Sequence, residues 1–162
     1  MDKLTTELLN LLRELLAAQE RLLQLALARR EAMRTFDISR LEAMQGQENV
    51  ETTRVADLDR RRQQLVAQFR THLRTEPTVS EIARRIPEPA RSQLLVLASR
   101  VKEMVEKVER NQRINATVSE AVVKGLAKVL KIVTGLAQHA GLYMRNGRKA
   151  DLRGIHLLEV TA

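Results

Sequence analysis

The chain predicts an all-α protein, an elongated antiparallel helical bundle or coiled coil that ends in one very long C-terminal helix. Three observations carry this expectation. Apolar residues from Leu94 to Leu136 recur at alternating gaps of three and four (Leu94, Leu97, Val101, Met104, Val108, Val118, Val122, Val129, Ile132, Leu136), interrupted only by Asn111, Asn115 and Gly125. The three prolines, Pro77, Pro87 and Pro89, lie close together, leaving nothing to stop a helix after Pro89. Aromatic residues number only three, Phe36, Phe69 and Tyr143, while Leu, Ala, Glu, Arg and Gln abound, a composition that fits helices and argues against sheet.

Each element has its own signal. A first helix, from about Asp2 to Arg34, places Leu4, Leu8, Leu11, Leu15, Leu22 and Leu25 on one face. Leu12, Leu16, Leu23 and Leu27 widen that face enough to touch two neighbours. The break falls at Thr35 to Ser39, where Ser39 with Glu42 three residues on makes a capping box for the second helix. That helix reads Leu41, Met44, Val55, Leu58, Leu65, Phe69 and Leu73, with Glu48, Glu51 and Arg62 in the same register. Its middle is weakly apolar, and Gly46 with Thr52 and Thr53 lowers helix propensity by about 0.5–1 kcal/mol per position, so a bend is expected there. The hairpin covers about residues 2–75, because the residue before Pro77 leaves the helical region. Thr78 with Glu81 caps a short helix at about 79–86, which Pro87 ends, and Pro89 opens a long helix over about 89–140, closed near Gly141. Residues 1–141 form one helical-bundle domain and 142–162 a flexible tail with a turn signal at Asn146-Gly147.

Helix lengths carry the functional argument. At 1.5 Å per residue the first two helices reach roughly 50 Å each and the last roughly 75 Å, so its portion beyond about Val118 is expected to lack cover. Val122, Val123, Leu126, Val129, Leu130, Val133 and Leu136 then form an apolar strip on which a partner helix can lie. Gly125 and Gly135 either admit a close backbone approach or are local weak points, and Asn111 and Asn115 either fix helix register or contact a partner. Valines, alanines and glycines instead of large aromatics suit reversible capture of moderate affinity.

Charge and composition bound the rest. The net charge is +8, with 13 basic and 12 acidic residues over 1–76 against 15 and 8 over 77–162. The C-terminal excess favours an acidic partner or an anionic surface. Nucleic acid is not expected, since stacking aromatics and a helix-turn-helix or glycine-rich RNA-binding signature are lacking. Cysteine is absent, no signal peptide or membrane span is legible, and a cytoplasmic protein is expected. His72, His139 and His156 lie in no metal-ligand spacing, the close carboxylates belong to charged helix faces, and no phosphate loop follows a strand. Catalysis, cofactor and metal are therefore not expected. A self-associating structural coiled coil remains an alternative, as does a membrane-surface protein with Lys124, Lys128 and Lys131 along an apolar helix.

The string Glu109-Arg110-Asn111-Gln112-Arg113-Ile114-Asn115, the Ser119 to Leu126 stretch, and Tyr143 and Gly147 after them resemble the signature of the FlgN-type flagellar export chaperones. The first helix leading through Phe36-Asp37 to Leu41, with Gln47 and the Leu58 to Leu65 segment, is similar to that family's N-terminal hairpin, and Leu157-Leu158 with Ala162 to its ending. The resemblance implies a chaperone that holds helical termini of hook-associated proteins in the cytoplasm and delivers them to the type III export apparatus. It implies cargo binding between Asn115 and Leu136, and an export-gate contact at Tyr143. The candidate partner-binding residues are Asn111, Asn115, Val118, Val122, Leu126, Val129, Val133, Leu136 and Tyr143. Without cargo, the strip is open to homo-oligomerisation.

Overall fold

The computed structural model describes residues 2–73 and 77–140; Tyr143 and the expected tail at 142–162 lie outside them. Four helices follow in order, α1 (Asp2–Arg34), α2 (Ile38–Leu73), α3 (Val79–Arg84) and α4 (Ala90–Ala140), with no strand among the described residues. The fold is all-α, as the heptad spacing and the scarcity of aromatics require. Packing divides the chain into two units, Met1–Ser119 and Glu120–Ala162.

In the first unit α1 and α2 form an antiparallel hairpin, shown by the pairs Arg61–Glu14 and Arg21–Glu51. The turn follows from hydrogen bonding at the end of α1. The Asp37 N–H donates to Ala32 O at 3.0 Å and the Phe36 N–H to Met33 O at 3.3 Å, the six-to-one and five-to-two bonds of a Schellman closure. Phe36 occupies the left-handed position, φ 54°, which usually belongs to glycine because a Cβ there crowds the following carbonyl. Its ring is exposed. The cap of α2 differs from the expected Ser39–Glu42 box. Asp37 supplies it, its Oδ1 accepting from the Arg40 N–H at 3.0 Å, because the Schellman closure hands the chain directly to Asp37 and starts the helix one residue before Ser39. The Thr78 cap is as expected, with Oγ1 accepting from the Glu81 N–H at 3.1 Å.

At the α3–α4 junction, Arg91 Nε donates to Ala83 O and Ile86 O, tying the first turn of α4 to the end of α3 and the residue before Pro87. The Glu88 carboxylate accepts from the Ser92 N–H at 3.2 Å and from the Ser92 hydroxyl at 2.8 Å, capping the first turn of α4.

The main core gathers where the start of α1, the end of α2, α3 and the start of α4 meet. Leu8, Leu11, Leu15 and Ala18 pack there with Leu58, Leu65, Phe69, Ile82, Ile86 and Leu94. Phe69, Leu11 and Leu94 are fully buried, and removing each from water stabilises the fold by about 1.5–3 kcal/mol. Away from this core the α1–α2 seam changes character. Glu48 and Glu51, which fall in register with the apolar positions of α2, are half-buried and meet arginines of α1, Arg29 and Arg21. α2 runs unbroken through Gly46 and Thr53, so ion pairs across the seam stand in for the apolar contacts missing there.

α4 runs parallel to α1 within this unit. Arg13 Nη2 donates to Gln93 Oε1 at 3.2 Å near one end, and Ser119 Oγ lies 3.1 Å from Met33 Sδ near the other. On the outer side of α2 the Arg62 guanidinium, 2.7 Å from Asp59, holds that carboxyl below its ordinary range against an opposing push from partial burial.

Candidate partner-binding site

The heptad of α4 reads as a positions at Leu94, Val101, Val108, Asn115, Val122, Val129 and Leu136, and d positions at Leu97, Met104, Asn111, Val118, Gly125 and Ile132. Up to Val118 these residues are buried or half-buried in the first unit. Asn111 and Asn115 are held by α1. Arg30 Nη2 donates to Asn111 Oδ1 at 2.8 Å and Arg30 Nε to Asn115 Oδ1 at 3.2 Å. Asn115 Nδ2, in turn, donates to Ala26 O at 2.7 Å inside the bundle. Asn115 is only 6% exposed. The two asparagines thus act within the chain as a register lock between α1 and α4, since sliding either helix by one turn parts the arginine fork from both amides. A cavity of about 280 Å³ opens beside them, lined by Leu22, Ala26, Arg29, Glu48, Asn115 and Ser119 among others.

The second unit is described over 120–140, all of it α4. Val122 is half-buried, whereas Leu126 is 48% exposed, Val129 56%, Val133 55% and Leu136 65%. Val123, Leu130 and Ile132 are exposed with them. At 100° per residue these side chains fall on one side of the helix, and Lys124, Lys128 and Lys131 on the other, with Lys124 paired to Glu120 at 2.6 Å. An atom placed as Cβ on Gly125 or Gly135 meets nothing within 4 Å among the described residues, so there is room for a side chain at either position.

Of the candidate residues, then, Val122, Leu126, Val129, Val133 and Leu136 lie together on one face, and Val118 is half-buried in the first unit. Asn111 and Asn115 are engaged by Arg30, and Tyr143 lies outside the described residues. Val123 and Leu130, expected in the apolar strip, are exposed on this face, and Ile132 of the periodic series joins them. Arg30 was missed, because its pairing with Asn111 and Asn115 depends on the α1–α4 offset, which no local pattern reveals.

Among the described residues no group of three or more His, Asp or Glu side chains is placed to hold a metal ion, and no helix is long and apolar enough to cross a membrane. A contiguous apolar helix face of this kind binds other helices by burial.

Comparison with curated proteins and with solved structures returned no match. The family model described as FlgN protein matches residues 1–151. With nearly the whole chain covered by that match, and an all-helical fold beneath it, the chain belongs to the FlgN family, the chaperones of flagellum assembly.

Proposed function

We propose that this chaperone captures helical terminal segments of hook-associated proteins along the α4 face carrying Val122, Leu126, Val129, Val133 and Leu136. The observation that carries the reading is the exposure of a heptad-spaced apolar series on a continuous helix in a member of this family. Terminal segments that polymerise later are adhesive beforehand, and covering them in the cytoplasm prevents early self-association until the type III export apparatus receives them. Tyr143 is the proposed contact with the export-gate component. Asn111 and Asn115 contribute indirectly, by fixing α4 against α1.

Capture of a purified hook-associated terminal segment by the full chain tests this. Leu126→Asp, Val129→Asp and Leu136→Asp each place a charge in the face without touching the core, so capture falls while thermal stability stays within about 0.5 kcal/mol of the parent. Undiminished capture by all three variants refutes the assignment. Flotation with anionic vesicles at low salt addresses membrane-surface binding, which the lysines opposite the apolar face would favour.

A further inference from the structure

α1 carries a second row of leucines that α2 and α4 do not fully cover. Leu16 and Leu23 are half-buried and Leu27 is 42% exposed, whereas Leu11, Leu15 and Leu22 of the first row are buried. The three belong to one stripe at gaps of three and four, Arg13, Leu16, Glu20, Leu23, Leu27 and Arg30. Across the seam stand Gln93, Arg100, Met104 and Asn111 of α4, spaced by seven, four and seven. A cavity of about 500 Å³ opens there over Ala17, Glu20, Leu23 and Met104, among others.

Charge sets this outer α1–α4 groove apart. Across the α1–α2 seam each arginine meets a carboxylate, Arg21 on Glu51, Arg29 on Glu48 and Arg61 on Glu14. Along the groove the arginines of α1 grip neutral amides instead. Arg13 donates to Asn10 and Gln93, and Arg30 to Asn111 and Asn115. Neither guanidinium is ion-paired among the described residues, nor is that of Arg100, since Glu103, one turn further along α4, is taken by Lys107 at 2.6 Å. Glu20 is the one carboxylate in the α1 stripe. A guanidinium held only by amides keeps its full charge, and where it is half-buried, as Arg30 is, that charge is partly desolvated and attracts an anion.

We propose that this groove seats an acidic amphipathic helix of a partner protein, its apolar stripe on Leu16, Leu23, Leu27 and Met104 and its carboxylates against Arg13, Arg30 and Arg100. Arg13 and Arg30 are seventeen residues apart, about 25 Å along α1, so the occupant needs about five turns to engage both. A basic helix of the same shape is repelled at three points. The groove lies wholly within Met1–Ser119 and uses none of the capture residues at 122–136, so it stands independently of the capture reading.

Fluorescence anisotropy with the full chain at low salt tests this. The probe is a labelled synthetic helix of about 20 residues with leucines at gaps of three and four and glutamates placed to meet the three arginines, compared with the same helix carrying lysines in those places. The glutamate helix is expected to bind about tenfold more tightly, a difference that shrinks as salt is raised. Arg13→Glu with Arg100→Glu is expected to reverse the preference. Each reversal removes two charges, so the net falls from +8 to +4 and remains positive, and overall charge does not account for a reversal. Leu27→Gln is expected to weaken the glutamate helix about fivefold while circular dichroism stays that of the parent. Equal affinity for the two helices, an unreversed preference in the double variant, or no binding at all overturns the proposal. So does loss of binding on Leu126→Asp with Val129→Asp, which places the probe on the far stretch of α4, and so does a parent dimer that Leu27→Gln converts to monomer, which makes a second copy the occupant.

Discussion

Replacing Asn115 with alanine probes the lock between α1 and α4. The side chain is buried and makes two interhelical hydrogen bonds, one to Ala26 O at 2.7 Å and one from Arg30 Nε at 3.2 Å. The first is a neutral bond in the interior and contributes about 1 kcal/mol net. The second is charge-assisted, but Arg30 is only part-buried and keeps its bond to Asn111, so its loss costs about 0.5 kcal/mol. Together Asn115→Ala destabilises by about 1.5 kcal/mol, which for a chain of this size lowers Tm by about 3–6 °C. Differential scanning calorimetry reads the shift, and a double-mutant cycle with Arg30→Ala apportions it. The two substitutions share a hydrogen bond and should show a coupling of about 0.5 kcal/mol or more. An Asn115→Ala protein that melts with the parent, or a cycle that is additive within error, refutes the claim that this network fastens the long helix.

Phe36→Gly removes the Cβ crowding of a left-handed residue, worth about 1 kcal/mol, against the greater unfolded freedom of glycine. The urea midpoint should rise slightly, and a fall would show that the exposed ring makes contacts that matter. Because Arg62 lowers the pKa of Asp59 in the folded state, their pairing favours folding at pH above the unfolded carboxylate value. That contribution disappears as pH drops through the folded value. Asp59→Asn should therefore lose less Tm than the parent between pH about 6 and about 3; identical losses refute the pairing. Gly125→Ala should stabilise α4 locally by about 1 kcal/mol, slowing amide exchange around it. It should also weaken capture of a hook-associated segment, since its methyl fills space left open over the helix, and unchanged capture marks the glycine as a tolerated weak point.

The helices were legible because period and punctuation agree. The alternating three-and-four spacing from Leu94 to Leu136 has no counterpart in a strand, and Pro77, Pro87 and Pro89 bracket α3 on both sides. The Thr78 cap was equally plain. What local pattern could not supply was anything decided across helices. Ser39 and Glu42 satisfy the capping motif, yet Asp37 takes the role, since the bonds that close α1 fix where α2 begins. Glu48 and Glu51 read as defects in a seam until Arg29 and Arg21 are placed opposite them. Helix lengths separate the covered part of α4 from the strip beyond Val118, but Asn111 and Asn115 keep both roles open until Arg30 is placed against them. The family, by contrast, was readable from short strings alone.

The hairpin is fastened differently at its two extremities. Around Phe69 it is held by close-packed hydrocarbon; toward Phe36 the smaller buried side chains Ala26, Ala32, Met33 and Met44 share the seam with the Arg29–Glu48 ion pair, which is directional and exchanges readily with water. The Phe36 end is therefore expected to loosen before the aromatic anchor as salt or urea is added, an order that amide exchange along α1 and α2 would read.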